Sequence, residues 1–430
     1  MFEKLSLLLP LGNYIRNKSI QNFLFLAVIQ SSNVLISIIS MPLLIQSIGV
    51  DQFGLVNLAL SVIILLNIMV GFGYNLSAPR EVAINQADNT ALSFLLSNIF
   101  SAKLIFATLS MLFILVAVFG LNLFREYQSI LVFSILLLYS EATLPLWFFQ
   151  GMEKMKLVSI ANIFSKLLFL MGIVLFIHNP EQSKWVNFIL GFFGLIINLS
   201  LHFYIHTFMK IRFLKPKFFA IWQSLKENLL FFFSNLASHI SINGGLIILS
   251  FYASAETLGM YSLAERVVMV LRLFPALIIQ AIFPNASKLY EEDEVKFYRF
   301  LKRVYFRVLF FGAVIATAAH FSAPWIIKIL SRSELEESVL FLKILAAVPF
   351  LACLNIGNIV LMLVADLKQL LFRASWMMCL YMIIVSVIFT TYFGGLGLCV
   401  AILSTEIIVF LICLVLLYRR NRKLFYGFYT

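Results

Sequence analysis

Along this chain, long apolar runs alternate with short polar breaks. The runs fall at 21–45, 53–73, 96–121, 129–149, 157–177, 185–208, 229–252, 258–283, 304–330, 338–364, 374–393 and 396–418. At about 1.5 Å per residue, each is long enough for a helix to cross roughly 30 Å of hydrocarbon. Strands of a membrane barrel would alternate apolar and polar positions over about 10 residues, and no such alternation is visible. The pattern predicts an all-α polytopic membrane protein with twelve transmembrane helices.

Composition agrees. Of 430 residues, 62% are hydrophobic, 12% are charged and 45 are Phe, whereas soluble domains are about a quarter charged. That excludes a water-soluble fold, a disordered chain and a secreted disulfide scaffold. Cys353, Cys379, Cys399 and Cys413 all lie inside apolar runs. They read as small packing residues, with no disulfide, metal or cofactor role expected. Residues 1–20 carry Lys4, Arg16 and Lys18 without a short apolar core, so no cleavable signal is expected.

The net charge of +12 follows from topology. With a cytoplasmic N-terminus, 25 of the 32 basic residues fall in inner segments, counting Lys103 and Lys166, which lie inside spans nearer the inner end. Outer segments hold Arg125, Lys184, Lys328, Arg332 and Lys343, and Arg266 and Arg272 lie within a span. This is a strong positive-inside bias, placing both termini in the cytoplasm. Short basic loops beside anionic lipid headgroups explain the excess charge without a nucleic-acid partner.

A shift of 205 positions aligns Asp51-Gln52-Phe53-Gly54 with Glu256-Thr257-Leu258-Gly259, Leu58-Ala59 with Leu263-Ala264, and Pro79 with Pro284. The matches predict two six-helix lobes with parallel orientation. The N-terminal lobe spans 1–208, a basic cytoplasmic linker 209–228, and the C-terminal lobe with its basic tail 229–430. Two such bundles around a central cavity suit alternating access.

Charges in hydrocarbon cost at least about 2.5–3.5 kcal/mol and mark candidate sites. Arg272 lies near the middle of the eighth run with no evident partner, which points to a cavity-lining role. Arg266, nearer the outer end, is open to pairing with Glu265 or Glu256 or to snorkelling. Glu141 and Lys166 fall at similar depth on successive spans and are expected to pair, in a structural or a functional role. Glu406 is a lone carboxylate and a proton-site candidate. In the first run Gln30, Asn33, Ser37 and Ser40 form a polar stripe, and in the seventh Asn235, His239 and Asn243 form another. Amides and hydroxyls suit hydroxyl-rich ligands, and equally suit hydrogen bonds between helices. His239 is open to a pH-sensitive or a packing role. Residues 285–303, acidic first and basic afterwards, are expected to form a solvated helix with a Glu292/Lys296 pair.

No phosphate-cradling GxxxxGK[ST], HExxH or GxSxG occurs. The loops are too short for a membrane polymerase with catalytic outer loops, so no catalytic residues are assigned and no enzyme is expected.

The stretch Ser47-Ile48-Gly49-Val50-Asp51-Gln52-Phe53-Gly54, then Gly71-Phe72-Gly73 and Ser77-Ala78-Pro79-Arg80-Glu81-Val82-Ala83, resembles the first-half signature of the bacterial polysaccharide repeat-unit (O-antigen) flippases. These belong to the multidrug/oligosaccharidyl-lipid/polysaccharide exporter superfamily. Gln46-Ser47-Ile48 depart from the pattern, in which a basic residue before Leu-Gly is common. The resemblance implies a MATE-like fold in the bacterial inner membrane and an undecaprenyl-diphosphate-linked oligosaccharide substrate. It also implies an ion-gradient drive and polymerase and chain-length partners of a polysaccharide pathway. Arg272, Arg266, Arg80 and Lys166 would then hold the diphosphate, with Asn33, Asn235, His239 and Asn243 facing sugars and Glu141 and Glu406 coupling ions. A multidrug exporter of the same fold is the alternative, and a membrane glycan polymerase or ligase a more distant one.

Overall fold

The computed structural model describes residues 18–430, with side chains described at position 21 and from position 25 onward. Lys4, Arg16 and the Lys18 side chain lie outside the described residues. All regular structure among the described residues is helical. The long helices are α1 (Lys18–Gly71), α3 (Asn89–Leu115), α7 (Met155–Phe176), α8 (Ser183–Phe208), α9 (Phe218–Leu249), α10 (Ala255–Glu292), α11 (Glu294–Ser331) and α15 (Lys368–Arg420). Shorter pieces are α2 (Tyr74–Ile84), α4 (Gln128–Ser134), α5 (Leu136–Thr143), α6 (Leu146–Gly151), α12 (Glu336–Leu345), α13 (Val348–Leu354), α14 (Ile356–Val364) and α16 (Arg422–Tyr429).

Ten helical segments among these residues are long and apolar enough to cross a membrane, and this is a multi-pass membrane protein. The longest two, Phe25–Ile84 and Lys368–Arg420, run to 60 and 53 residues. Each contains a glycine that leaves the helix: Gly49 at φ 84° and Gly394 at φ 55°. A side chain disfavours that left-handed region, so glycine marks the break.

Contacts divide the chain into two compact units. One holds the residues up to Ile48 together with Val62–Asn235, and the other holds Gly49–Ser61 together with Leu236–Thr430. In the first, α8 packs on α4, α5 and α7. Its polar residues reach the broken segment beside it: Asn187 donates to Ser134 Oγ (2.9 Å), Asn198 to the Ser140 carbonyl (2.8 Å) and His202 Nε2 to the Thr143 carbonyl (2.8 Å). Two carbonyls released where α5 stops thereby find partners. The basic stretch after α8 lies along α3. Arg212 and Leu214 N–H groups donate to Ser93 and Ser97 hydroxyls (3.0 and 2.8 Å), and Lys217 N–H donates to Asn98 Oδ1 (3.0 Å).

In the second unit, Phe297, Leu301, Ile356, Val360, Leu417 and Phe428 belong to one buried cluster. The residues after Arg420, expected as a basic tail, form the amphipathic helix α16. Leu424 and Phe428 are buried, Lys423 pairs with Glu294 (2.6 Å) and Tyr429 donates to Asn358 Oδ1 (2.8 Å). Residues 285–303 also differ from expectation. The helix breaks at Asp293, which pairs with Lys296 (3.2 Å), while Glu292 pairs with Lys288 (3.7 Å). The capping role wins because the Asp293 carboxylate satisfies the Lys296 N–H (3.0 Å) at the start of α11. That bond holds its carboxyl below the usual range.

The 205-residue shift relates further positions. It carries Asp88, N-cap of α3, onto Asp293, N-cap of α11, and both carboxylates accept from first-turn N–H groups. It also carries Val50 onto Ala255 and Gly54 onto Gly259, and within the second unit these four residues meet. A Cβ at Gly54 would stand 2.6 Å from the Ala255 carbonyl oxygen, and one at Gly259 would overlap the Val50 carbonyl oxygen. The contact is reciprocal, as between copies related by a two-fold axis, and lets two backbones approach as small residues do in membranes. Gly259→Ala is expected to destabilise the protein by about 1–3 kcal/mol. Gly71→Ala, whose Cβ would meet only Asn75 Nδ2 at 3.9 Å, is the control. Equal melting temperatures for the two variants in detergent would show that the contact tolerates a methyl group.

Candidate functional site

Within the first unit, α1, α5, α7 and α8 enclose a polar cavity of about 230 Å³. Asn33, Asn67, Asn162 and Asn198 supply amides, Ser140 and Ser165 supply hydroxyls, and Glu141 and Lys166 supply the charges. Some of this polarity is already engaged, since Ser32 donates to Asn162 Oδ1 (3.3 Å) and Asn198 to Ser140. Asn67 Oδ1 is buried without a hydrogen-bond partner among the described residues.

The expected Glu141–Lys166 pair does not form. Both groups face the cavity, but Glu141 pairs at 3.7 Å with Lys103 of α3. Helix α5 packs against α3, which carries Lys103, whereas α7, which carries Lys166, packs on α8. Lys103 is 1% exposed and Glu141 24%, and the more deeply buried cation gains more from a counter-charge. The separation exceeds a hydrogen bond, and Lys103 Nζ has no hydrogen-bond partner among the described residues. Lys166 is half-buried and stands in no ion pair among the described residues. Lys103 was legible as an intramembrane lysine, but nothing in the sequence indicated which helix would face it.

In the second unit, Arg272 and Glu406 form an ion pair between α10 and α15. Neither is alone, contrary to expectation, because α15 brings Glu406 to α10 across 134 residues. Arg272 Nε remains buried without a hydrogen-bond partner among the described residues. A small cavity of about 20 Å³, room for one water molecule, is lined by Arg272, Tyr261, Glu265 and Ser241. Tyr261 donates to Glu265 Oε1 (3.3 Å). Arg266 has a partner that none of the three expectations named: its Nε and Nη2 donate to Asn57 Oδ1 at 3.2 and 2.8 Å. Asn57 lies in the Gly49–Ser61 segment, which belongs to the second unit, so a neutral amide answers the charge.

The other candidates are dispersed. Arg80 is exposed within α2. His239 is exposed on α9, Asn235 and Asn243 are half-buried, and Asn243 donates to the His239 carbonyl of its own helix (3.3 Å). Asn33 is the member of the two stripes that lines the polar cavity with Lys166.

A double-mutant cycle tests the Lys103–Glu141 assignment. Glu141→Gln strands a fully buried ammonium and is expected to cost about 3 kcal/mol, whereas Lys103→Met leaves a carboxylate that the cavity can solvate and costs less. The double variant should resemble Lys103→Met in thermal stability. Additive losses would sink the pair.

Comparison with known proteins places this architecture. Residues 19–290 match the family model described as "Polysaccharide biosynthesis protein". A protein of Escherichia coli (strain K12) named "Putative O-antigen transporter" is 23% identical over 406 residues, covering 94% of this chain and 97% of that protein. One of the same name from Shigella dysenteriae is 26% identical over 404 residues, covering 92% and 98%. Among solved structures, an inward-facing multidrug-resistance MATE-family transporter of the MOP superfamily superposes with TM-score 0.73 at 12% identity, covering 94% of this chain and 98% of that one. The lipid II flippase MurJ in an inward closed conformation gives TM-score 0.71 at 16% identity, covering 91% and 87%. These two likenesses establish a shared fold. With its family model matched over more than half its length, the chain belongs to the polysaccharide biosynthesis protein family.

Proposed function

We propose that the protein is a flippase carrying undecaprenyl-diphosphate-linked oligosaccharide repeat units from the cytoplasmic to the periplasmic leaflet of the bacterial inner membrane. The observation that carries this reading is the cavity of the first unit. Lys166 opens there without a carboxylate partner among the described residues, amid four asparagines and two serines. A cation set among amides and hydroxyls suits a ligand that is both anionic and hydroxyl-rich. At about 230 Å³ the cavity is smaller than the roughly 300–1,000 Å³ of drug-sized sites, so it takes the diphosphate and adjoining sugar rather than the whole oligosaccharide. The names of the two O-antigen transporters support the same substrate class.

In this reading the two kinked segments each span twice, giving twelve helices as two six-helix bundles with both termini cytoplasmic. Transport proceeds by alternating access. Arg272 and Glu406 form the ion-coupled element. A proton on Glu406 removes its charge and releases Arg272 to an anionic substrate, and loss of that proton recaptures the arginine. Glu141 stays with Lys103 and orders the wall that presents Lys166. Asn33 faces sugar hydroxyls beside it. Arg266, Arg80, Asn235, His239 and Asn243 act in substrate passage, and polymerase and chain-length proteins of the pathway act on the product.

The test measures lipid-linked glycan on each membrane face in cells lacking the protein and in cells with it restored. Glycan is expected to accumulate on the cytoplasmic face and to clear on restoration. Lys166→Ala should slow clearance about ten-fold or more, from the loss of one charge-assisted contact, while Lys166→Arg retains part of it. Undiminished clearance by Lys166→Ala at normal protein levels would remove the cavity from the mechanism. A normal glycan distribution with altered drug sensitivity would indicate a drug exporter.

A further inference from the structure

A second kind of site lies at one end of the second unit. Where α11 ends and α12 begins, a groove of about 580 Å³ opens beside the turn at 332–335. Its apolar walls come from Pro324, Trp325, Leu335, Val339 and Leu340. Trp325 is 72% exposed and Leu340 43%, so the groove faces the surroundings of a helix pair that spans hydrocarbon. A tryptophan near the end of a span is the usual anchor at the membrane–water interface. The turn is therefore at headgroup level and the groove descends from it beside the acyl chains.

The charges around this groove are ordered by depth. Lys328 and Glu334 pair across the turn at 2.8 Å. Glu336 is exposed in the first turn of α12. Lys343 follows seven residues later on the same face, about 10 Å deeper along the helix. Lys343 is half-buried and stands in no ion pair among the described residues. A lysine at that depth extends its stem along apolar surface and returns its ammonium toward the interface. The sequence of chemistry from membrane interior to surface is thus an apolar trough, a cation, then a carboxylate.

A glycerophospholipid with a primary-ammonium headgroup has the complementary order: acyl chain, phosphate, ammonium. We propose that this groove binds one such zwitterionic phospholipid, of the phosphatidylethanolamine class. The phosphate lies on Lys343 and the ammonium donates to Glu336. An anionic phospholipid without an amine would satisfy Lys343 but set its headgroup against Glu336. A quaternary choline headgroup has no N–H to give the carboxylate. The site requires only that the turn lies at a membrane surface. Its assignment to the outer leaflet rests on the proposed orientation.

The experiment uses the full chain, purified, stripped of lipid and titrated in detergent with phosphatidylethanolamine, phosphatidylglycerol and phosphatidylcholine of identical acyl chains. Native mass spectrometry reads the adducts. The ethanolamine lipid is expected to bind most tightly, and Lys343→Gln and Glu336→Gln each to weaken it about five- to ten-fold. Glu336 is exposed, so that variant tests the headgroup contact without disturbing packing, and melting temperatures without lipid check both variants. Equal binding of all three lipids, or preference for the glycerol lipid, would overturn the proposal. So would unchanged binding by both variants, or displacement by undecaprenyl phosphate with no headgroup preference, which would make the groove a site for chains alone.

Discussion

An ionised side chain placed in hydrocarbon loses at least about 2.5–3.5 kcal/mol of hydration, and the interior of this protein is arranged around that loss. Three cations within the spans, Lys103 buried and two arginines half-buried, meet it in different ways. Lys103 has a carboxylate at 3.7 Å, Arg272 has one in direct contact, and Arg266 hydrogen-bonds the side-chain oxygen of Asn57. Two of these answers come from an opposite charge and one from a dipole, which is enough for a guanidinium because its charge is delocalised and weakly hydrated. Lys166, like Arg266, stands in no ion pair among the described residues, but it lines the polar cavity, and that sets the cavity apart from packing.

The spans were legible because apolar length is a direct requirement of crossing a bilayer, and short loops leave little ambiguity about where one helix ends. Gly49 and Gly394 show the limit of that reading. Apolar runs separate around them and each glycine leaves the helical region of backbone space, so one long helical segment stands where the apolar pattern predicts two. The site was less legible. Intramembrane charges stood out, but their partners depend on helix rotation and on which helix is a neighbour. A loop between two spans makes them adjacent without aiming their side chains at each other. Glu141 therefore faces α3 although the shortest connection leads from its segment to α7. Asn57 was invisible as a partner because it is neutral and lies 209 residues from Arg266.

Polar side chains near the helix breaks carry a separate burden. Asn187, Asn198 and His202 of α8 engage the Ser134 hydroxyl and the Ser140 and Thr143 carbonyls where the neighbouring span is interrupted. Ser93, Ser97 and Asn98 of α3 hold the extended basic stretch in the same way. Polarity along a membrane helix thus has at least three uses here: satisfying free backbone, compensating charge and lining the cavity. Only contact geometry separates them. It ties Asn243 of the α9 stripe to the turn before it and places Asn33 at the cavity.

The meeting of Gly54 with Gly259 has an evolutionary corollary. Contacts between side chains drift, because a loss of volume on one helix can be made up on the other. Contact between two backbones offers no such trade, since neither partner has a side chain to exchange. A change at either glycine therefore has no compensating change available on the other, and at this crossing the spacing of the two helices is fixed by backbone alone.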